Sequence, residues 1–128
     1  MRLEKYEESK HYDLIRSWYI DRDMKPIDKK FYPEDGVICH TLGGASGAMF
    51  LLRTNTPLAI LEYAILRRGI ESKEIRMDCM HTMGKHLVGL AKKLGFTFIF
   101  ATPESSTIIS PALRLGFKQL GRTISLEV

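Results

Sequence analysis

The chain has 128 residues, of which 45% are apolar and 27% are charged, and its formal net charge is +4 at pH 7. This length and apolar content suffice for one core, and no shift in composition marks a second, so we expect residues 1–128 to form a single domain. The cysteines, Cys39 and Cys79, are too few for a disulfide framework and sit at no metal-ligand spacing, which favours reduced, structural thiols and no metal site.

The charge distribution bears on the partners of the protein. Lysines and arginines are spread among acidic residues and form no block interleaved with aromatics, which argues against nucleic-acid binding. A mildly basic surface suits plain solvation or a cofactor that carries phosphate. No apolar run is long enough to cross a bilayer, and the first residues do not resemble a signal peptide, so we expect a cytoplasmic protein.

The N-terminal third of the chain predicts a strand followed by a helix. Arg2 to Tyr6 alternates in the manner of a strand. Glu8 to Ile20 predicts a helix whose apolar stripe consists of Leu14, Ile15, Trp18 and Tyr19. The segment from Asp21 to Asp35 is polar and irregular, so a loop is expected before the next strand.

Three strands are predicted next. Gly36 to Thr41 and Ala48 to Arg53 predict a hairpin around a glycine-rich turn at residues 43–47. Leu58 to Leu66 follows another turn and is the most apolar strand of the chain. Glu62 is the only charged residue in that strand, which makes it a candidate for function.

The second half of the chain predicts a long helix, a buried strand and a short helix. The long helix runs from about Asp78, as its N-cap, to Leu94, and Gly95 supplies a left-handed stop. Thr97 to Ala101 is uncharged, aromatic and β-branched, which is typical of a strand covered on both faces. A polar loop and a short helix that ends at Gly116 follow before a last strand.

The resulting order is β-α-β-β-β-α-β-α-β, which indicates an α/β (α+β) fold with a mixed central sheet. A long helix connects the strand at Leu58 to Leu66 with the strand at Thr97 to Ala101. A crossover of that length places the two strands side by side and parallel. We expect their carboxyl ends to splay apart and leave a cleft.

With this order of elements, the chain resembles the GCN5-related N-acetyltransferase (GNAT) superfamily over nearly its whole length. Ala91 to Phe96 resembles the family's A-x-x-x-G stretch, and Leu113 to Phe117 resembles its Y-x-x-x-G-F ending. The chain is also similar to the small, degenerate GNAT-like proteins of tailed bacteriophages. The resemblance implies transfer of an acetyl group from acetyl-CoA to the amine of an unnamed acceptor, in the host cytoplasm if the protein is phage-encoded.

The resemblance also implies roles for individual residues. Glu62 falls where the family often carries the base that deprotonates the incoming amine, directly or through water. Ala64 and Leu66 would offer backbone amides to the pantetheine of acetyl-CoA. Ser105 stands where the family often has an asparagine, and it would bond to the pantetheine arm or cap a helix.

Glu62 has a purely structural interpretation as well. In that interpretation the carboxylate faces outward, or it pairs with Arg53 or Lys5 across the sheet, as opposite charges on neighbouring strands do. The sequence leaves both interpretations open.

The family's phosphate loop is the clearest departure. Alignment on Ala91 and Gly95 places its Q/R-x-x-G-x-G/A pattern at residues 75–80, where Asp78 and Met80 replace the glycines. Glycines let backbone N–H groups at a helix start approach a pyrophosphate, and a carboxylate there repels it. Acetyl-CoA is therefore expected to bind weakly or not at all unless arginines replace this nest of amides. The candidates are Arg67, Arg68 and Arg76.

The residue at the family's general-acid position also differs from the family pattern. The family's frequent tyrosine falls on Ala112, which cannot protonate a leaving thiolate. The alternative to an enzyme is therefore a catalytically silent GNAT-like domain, acting as an interaction module for a protein partner or a second copy, or as a structural part of a virion. The histidines make no catalytic pair or metal set and are interpreted as surface or hydrogen-bonded side chains. They are His11, His40, His81 and His86.

Overall fold

The computed structural model describes residues 1–101, 115–120 and 123–127. In chain order the elements are β1 (Arg2–Lys5), α1 (Glu8–Asp21), β2 (Asp35–Thr41), β3 (Gly44–Arg53), β4 (Leu58–Leu66), α2 (Lys73–Lys93), β5 (Phe98–Ala101), β6 (Lys118–Leu120) and β7 (Thr123–Glu127). A short 3-10 helix, Lys29–Phe31, interrupts the segment between α1 and β2. Within the described residues, no helix is long and apolar enough to cross a membrane.

The described strands form one mixed sheet in the order β1-β2-β3-β4-β5-β7-β6. Strands β1 to β4 are an antiparallel meander. β4 then pairs with β5 in parallel, from Leu58 opposite Phe98 to Leu61 opposite Ala101. A parallel neighbour needs a crossover connection, which α2 supplies. The predicted fold class and the predicted parallel neighbours are both confirmed.

The C-terminal part departs from the predicted single strand. β6 and β7 pair as an antiparallel hairpin, and β7 is the strand that lies next to β5. These strands are only three and five residues long, too short for hydrophobic periodicity to separate them in the sequence. The predicted short helix before Gly116 lies outside the described residues.

The start of α2 was predicted wrongly. The helix begins at Lys73, with Ser72 as its N-cap, and the Ser72 hydroxyl accepts a hydrogen bond of 3.1 Å from the N–H of Ile75. Glu74 in the first turn suits the positive end of the helix dipole. Asp78 is therefore no cap but an exposed residue inside the helix, because a better capping residue stands upstream.

β3 was also predicted to begin too late. It begins at Gly44, whereas the sequence predicted a turn through residues 43–47 and a strand from Ala48. The tight turn is limited to Leu42 and Gly43. Glycines in the strand had been interpreted as turn residues, although only Gly44 has a positive φ, of 95°.

Gly47 serves close packing in β3. A Cβ at this position would lie 2.7 Å from Leu66 Cδ2, 3.0 Å from Met83 Cε and 3.1 Å from Cys79 Sγ. Real Cβ atoms do not approach other atoms so closely without a shift of the neighbours. The glycine therefore lets α2 and the end of β4 pack tightly on β3.

The two helices cover opposite faces of the sheet. Val37 and Cys39 belong to the core under α2, and Ile38 between them belongs to the core under α1. We call these the α2 core and the α1 core. Leu14 was predicted to face the α1 core but is 37% exposed. Its place in the buried stripe is taken by His11, which lies one turn before Ile15.

His11 helps to cap its own helix. The N-cap residue of α1, Glu7, makes no side-chain cap, and the N–H of Glu7 donates to His11 Nδ1 over 2.8 Å. The ring thereby satisfies one of the N–H groups that a helix start leaves without an intrahelical partner. This is the reason that a histidine occupies a buried helix position.

Glu4 joins β1 to α1 and β2. One oxygen, Oε1, lies 2.8 Å from His40 Nε2 and 3.2 Å from His11 Nε2, and the other accepts from Lys10. The hydrogen bonds from Lys10 and then His40 lower the pKa of Glu4 to about 2. The ring of His40 thus forms a hydrogen bond with this carboxylate, whereas His11 Nε2 lies next to it without a hydrogen-bond partner among the described residues.

Gly47→Ala should destabilise the fold by about 1–3 kcal/mol, because the added methyl group overpacks the α2 core. The free energy of unfolding from urea titration measures this. Gly89→Ala is the matched control, since a Cβ at Gly89 meets nothing within 4 Å and alanine is the better helix former. Equal or opposite effects of the two substitutions on stability would show that α2 does not pack so closely on β3.

Glu4→Gln should lower the free energy of unfolding at neutral pH, and this effect should become smaller in acid. The folded-state pKa of Glu4 lies below its unfolded value, so its stabilisation is present above the unfolded pKa of about 4.3 and is lost as pH falls towards the folded value. Urea midpoints of wild type and variant should therefore converge between neutral pH and about pH 3. Glu71→Gln, at an exposed carboxylate, should show no such convergence.

Candidate functional site

Within the described residues, β4 pairs with β5 along only the first half of the strand. The last described pair is Leu61 opposite Ala101, and β4 continues to Leu66. No described strand pairs with this edge from Glu62 to Leu66, and we call the space beside it the gap. The residues after Ala101 lie outside those described, so the splay of the two strands stays a prediction.

A β-bulge lies in the same part of β4. Ala48 is opposite Ile65 and Phe50 is opposite Glu62, so Tyr63 and Ala64 together face Met49 on β3. Tyr63 has a φ of 57°, in the left-handed region that costs a non-glycine residue about 1–2 kcal/mol. The strand is thus held in a strained conformation beside the gap.

The bulge places two consecutive side chains on one face of the sheet. Glu62 is opposite Phe50, which belongs to the α1 core, and directly opposed residues project to the same face. Tyr63 packs against that core too, with its ring 5.4 Å from the ring of Tyr32. Without the extra residue, Tyr63 would face α2.

Aromatic rings surround this face next to Glu62. Tyr32 stacks on Phe50 with ring centroids 4.6 Å apart, and Tyr6 meets the edge of Phe50 at 4.9 Å. Burial raises the pKa of Tyr32, with a further contribution from Tyr19, and burial also raises the pKa of Tyr6. These phenols stay neutral at physiological pH. Glu62 itself is half-buried.

The two cations considered as structural partners of Glu62 pair with other carboxylates. Arg53 binds Asp35 through Nε and through a second bond of 2.9 Å from its terminal nitrogen. Lys5 lies 3.9 Å from Glu34. Arg53 is also opposite Ala59, at the other end of β4 from the bulge.

Four arginine side chains meet around the loop that joins β4 to α2. Arg22 Nε donates to the Leu66 carbonyl at 2.8 Å, and Arg76 donates to the Ile70 carbonyl at 3.1 Å. Arg68 donates to the Asp21 carbonyl at 2.8 Å, at the end of α1. Arg67 Nε donates to the Ser46 hydroxyl at 3.1 Å.

These guanidinium groups bind neutral oxygens and no carboxylate. None of the ion pairs in the described part of the chain involves any of the four. A guanidinium bonded to one carbonyl has further N–H donors for another acceptor. The loop after β4 therefore carries guanidinium groups that form no ion pair within the described part of the chain.

Backbone N–H groups at the end of β4 have defined directions. The N–H of Arg67 donates to the Ser46 carbonyl on β3 at 2.8 Å. Since N–H directions alternate along a strand, the N–H of Leu66 points away from β3, towards the gap. Beyond the loop, the N–H groups of Ile75 and Arg76 are taken by Ser72.

Most of the predicted site residues come together in the structure. Glu62, Ala64 and Leu66 lie on the second half of β4, and Arg67 and Arg68 follow in the loop. Arg76 lies in the first turns of α2, whereas Ser105 and Ala112 lie outside the described residues. No group of three or more metal-binding side chains is found in the described ranges.

Sequence reasoning missed two features of this site. Arg22 follows α1 and carries no local pattern that would separate it from other surface arginines. The bulge at Tyr63 had no signal either, since a glycine or asparagine would be the usual mark of positive φ. Both depend on contacts between residues distant in sequence.

No protein-family model and no curated protein sequence matches the chain significantly. Solved structures do match it. A GNAT superfamily phosphinothricin acetyltransferase from Sinorhizobium meliloti, in complex with AcCoA, has a TM-score of 0.76 at 15% identity, over 99% of this chain and 88% of that chain. Ribosomal-protein-alanine N-acetyltransferase from Brucella melitensis has a TM-score of 0.73 at 10% identity, over 100% of both chains.

A third match is N-acetylglutamate synthase from Neisseria gonorrhoeae, in complex with coenzyme A and N-acetyl-glutamate, with a TM-score of 0.73 at 10% identity. It covers 98% of this chain, which spans only 34% of the synthase. At such identities the likeness is one of fold. The chain has the fold of the GCN5-related N-acetyltransferase superfamily.

Proposed function

We propose that the protein transfers an acetyl group from acetyl-CoA to the amine of an acceptor. The observation that carries this proposal is the second half of β4, where Glu62, the bulge at Tyr63 and the N–H of Leu66, which points away from β3, adjoin a loop rich in arginine. Such a constellation combines a base, a backbone donor and an anion-binding surface along one gap. Acetyl-CoA supplies the thioester that an amine nitrogen attacks.

Glu62 is proposed as the base. It lies at the gap, on the face that α1 and the aromatic rings cover, so an acceptor amine would approach from that face. The carboxylate would take a proton from the amine, directly or through water, as the nitrogen bonds to the thioester carbon. A positioned base of this kind accelerates a reaction by about 10²- to 10⁴-fold.

Backbone groups in the second half of β4 are proposed to hold the pantetheine. The N–H of Leu66 points to the gap and is suited to donate to an amide carbonyl of that arm. Ala64, inside the bulge, is the second proposed contact. Such a contact resembles the addition of a strand to the free edge of β4 and does not depend on side-chain identity. Ser105 remains a proposed contact to the same arm.

Arginines are proposed to take the place of the glycine-rich loop. Arg67, Arg68 and Arg76 lie around the segment between β4 and α2, and Arg22 adds a fourth guanidinium at the end of α1. A charge-assisted hydrogen bond contributes about 1.5–3 kcal/mol, so two or three of them can support binding of a pyrophosphate. The positive charge also offsets Glu71 and Glu74, which lie near the start of α2.

One observation favours the second candidate, a catalytically silent domain that binds a protein partner or another copy. Residues 75–80, which align with the family's phosphate loop, lie inside α2, where N–H groups are used within the helix. An amide nest is therefore not formed at those positions. The two candidates differ in whether acetyl-CoA binds, which calorimetry with the purified protein measures.

The fold alone does not determine which kind of amine accepts the acetyl group. The structures compared above are named for a ribosomal-protein alanine and phosphinothricin as acceptors and for N-acetylglutamate as a product, so the fold serves different reactants. A panel of amino acids, small amines and peptide N-termini, assayed by release of the CoA thiol, is the direct way to find the acceptor of this protein.

Glu62→Gln should lower kcat by about 10²- to 10⁴-fold and leave the Kd for acetyl-CoA nearly unchanged, because a base acts in the transition state and not on the nucleotide. Thiol release gives kcat, and calorimetry gives Kd. Glu8→Gln, on the exposed first turn of α1, is the control. Turnover equal to that of wild type would remove Glu62 from the mechanism.

Arg68→Gln and Arg76→Gln should each weaken binding of acetyl-CoA by about 10-fold or more, through loss of a charge-assisted hydrogen bond. The same loss should be measured with adenosine 3′,5′-bisphosphate if the arginines hold phosphate. Arg16→Gln is the matched control, since Arg16 is exposed on the outer face of α1. Unchanged affinity in both variants would place the phosphates elsewhere, and no binding by wild type would favour the silent domain.

A further inference from the structure

The two cysteines of the chain pack in the same core, although no pattern in the sequence connected them. Cys39 is on β2 and Cys79 is on α2, and both are free thiols with 0% exposure. Both belong to the α2 core. They play no part in the proposed acetyl transfer, so their proximity needs its own explanation.

Packing around Gly47 brings Cys79 over Cys39. Cys39 is directly opposite Gly47 in the β2–β3 ladder, and side chains at such positions start about 4.5–5.5 Å apart. A Cβ on Gly47 would lie only 3.1 Å from Cys79 Sγ. The Cys79 sulfur and the Cys39 side chain therefore both adjoin Gly47, on the same face of the sheet.

The two thiols interact and are not equivalent. A hydrogen bond from Cys79 lowers the pKa of Cys39, while the same bond and burial raise the pKa of Cys79. The positive N-terminus lowers the pKa of Cys39 further. Cys39 is accordingly the better nucleophile and Cys79 the thiol placed to react with it.

One exposed, flexible side chain lies against Cys39. Met1 Sδ lies 3.8 Å from Cys39 Sγ, and Met1 is 56% exposed. The hydroxyl of Thr82, on α2, lies 3.8 Å from Met1 Sδ as well. Met1 is thus the described neighbour of Cys39 past which we expect a small oxidant to enter.

We propose that Cys39 and Cys79 form a redox-active pair that hydrogen peroxide closes into an intramolecular disulfide between β2 and α2. Cys39 thiolate attacks one peroxide oxygen, the O–O bond breaks, and one water leaves with formation of a sulfenic acid on Cys39. Cys79 sulfur then attacks Cys39 sulfur, and the sulfenic oxygen leaves as the second water. The two thiols lose two electrons and two protons, which the peroxide takes up.

The link would connect the sheet to the part of α2 nearest the arginine loop. Cys79 stands one turn after Arg76, on the same helix. Cross-linked to β2, this turn could no longer move away from the sheet. The modification itself does not depend on the proposed acetyl transfer, because it is read from the thiols alone.

Wild-type protein tests the proposal directly. Reduced protein, treated with hydrogen peroxide, is denatured and alkylated, and its peptides are examined by mass spectrometry. We expect no alkylation of either cysteine, a peptide pair joined through Cys39 and Cys79, and recovery of both thiols after a dithiol reductant. The midpoint of thermal unfolding should rise by on the order of 10 °C in the oxidised protein, because the link constrains the unfolded chain.

Single variants separate the two roles, and thermal melts show whether each is folded. Cys79→Ala should accumulate a sulfenic acid on Cys39 that dimedone traps, whereas Cys39→Ala should leave Cys79 fully alkylated after the same treatment. Two alkylated cysteines in peroxide-treated wild type would overturn the proposal, as would a link found only between two copies on a non-reducing gel. The wild-type result decides the matter even if a variant fails to fold.

Discussion

Among the described residues, parallel pairing between β4 and β5 extends as far as Leu61, and the groups proposed for function lie beyond Leu61 along β4. A parallel pair requires a crossover, so the chain must leave the carboxyl end of β4, run through α2 and return to the start of β5. The loop with its arginines and the start of α2 are thereby placed at the same end of the sheet as the gap. Glu62 and Leu66 lie on the part of β4 that pairs with no described residue of β5, and the N–H of Leu66 points away from β3.

The bulge explains how β4 directs two consecutive side chains, Glu62 and Tyr63, to the same face of the sheet. A regular strand would turn Glu62 and Tyr63 to opposite faces, whereas the extra residue directs both to the α1 core. The left-handed backbone at Tyr63 is unfavourable by itself, and ring packing with Tyr32 and Phe50 holds it in place. Packing energy in the α1 core is in this way used to keep a strained strand beside the gap.

Local patterns predicted the elements well where they were bounded by turn residues and failed where the cause was distant. β4 was predicted from Leu58 to Leu66 as observed, since a proline turn precedes it and two arginines follow. The start of β3 was missed because Gly47 is required for close packing against α2 and not for a turn. The arginines of the site come from separate elements, and no spacing in the sequence connects them. The candidate base, by contrast, was evident as the one charge in an apolar strand.

The capping bond of His11 has a consequence for the pair of imidazoles around Glu4. Because Nδ1 accepts a hydrogen from the backbone of Glu7, its lone pair is engaged, and the ring proton of the neutral form must sit on Nε2. That nitrogen faces the same carboxylate oxygen as His40. A protonated Nε2 has no lone pair to give to a metal ion, and the described residues contain no group of three or more side chains placed to hold one. Tautomer choice, imposed by the start of α1, thus makes this group of side chains a purely structural junction.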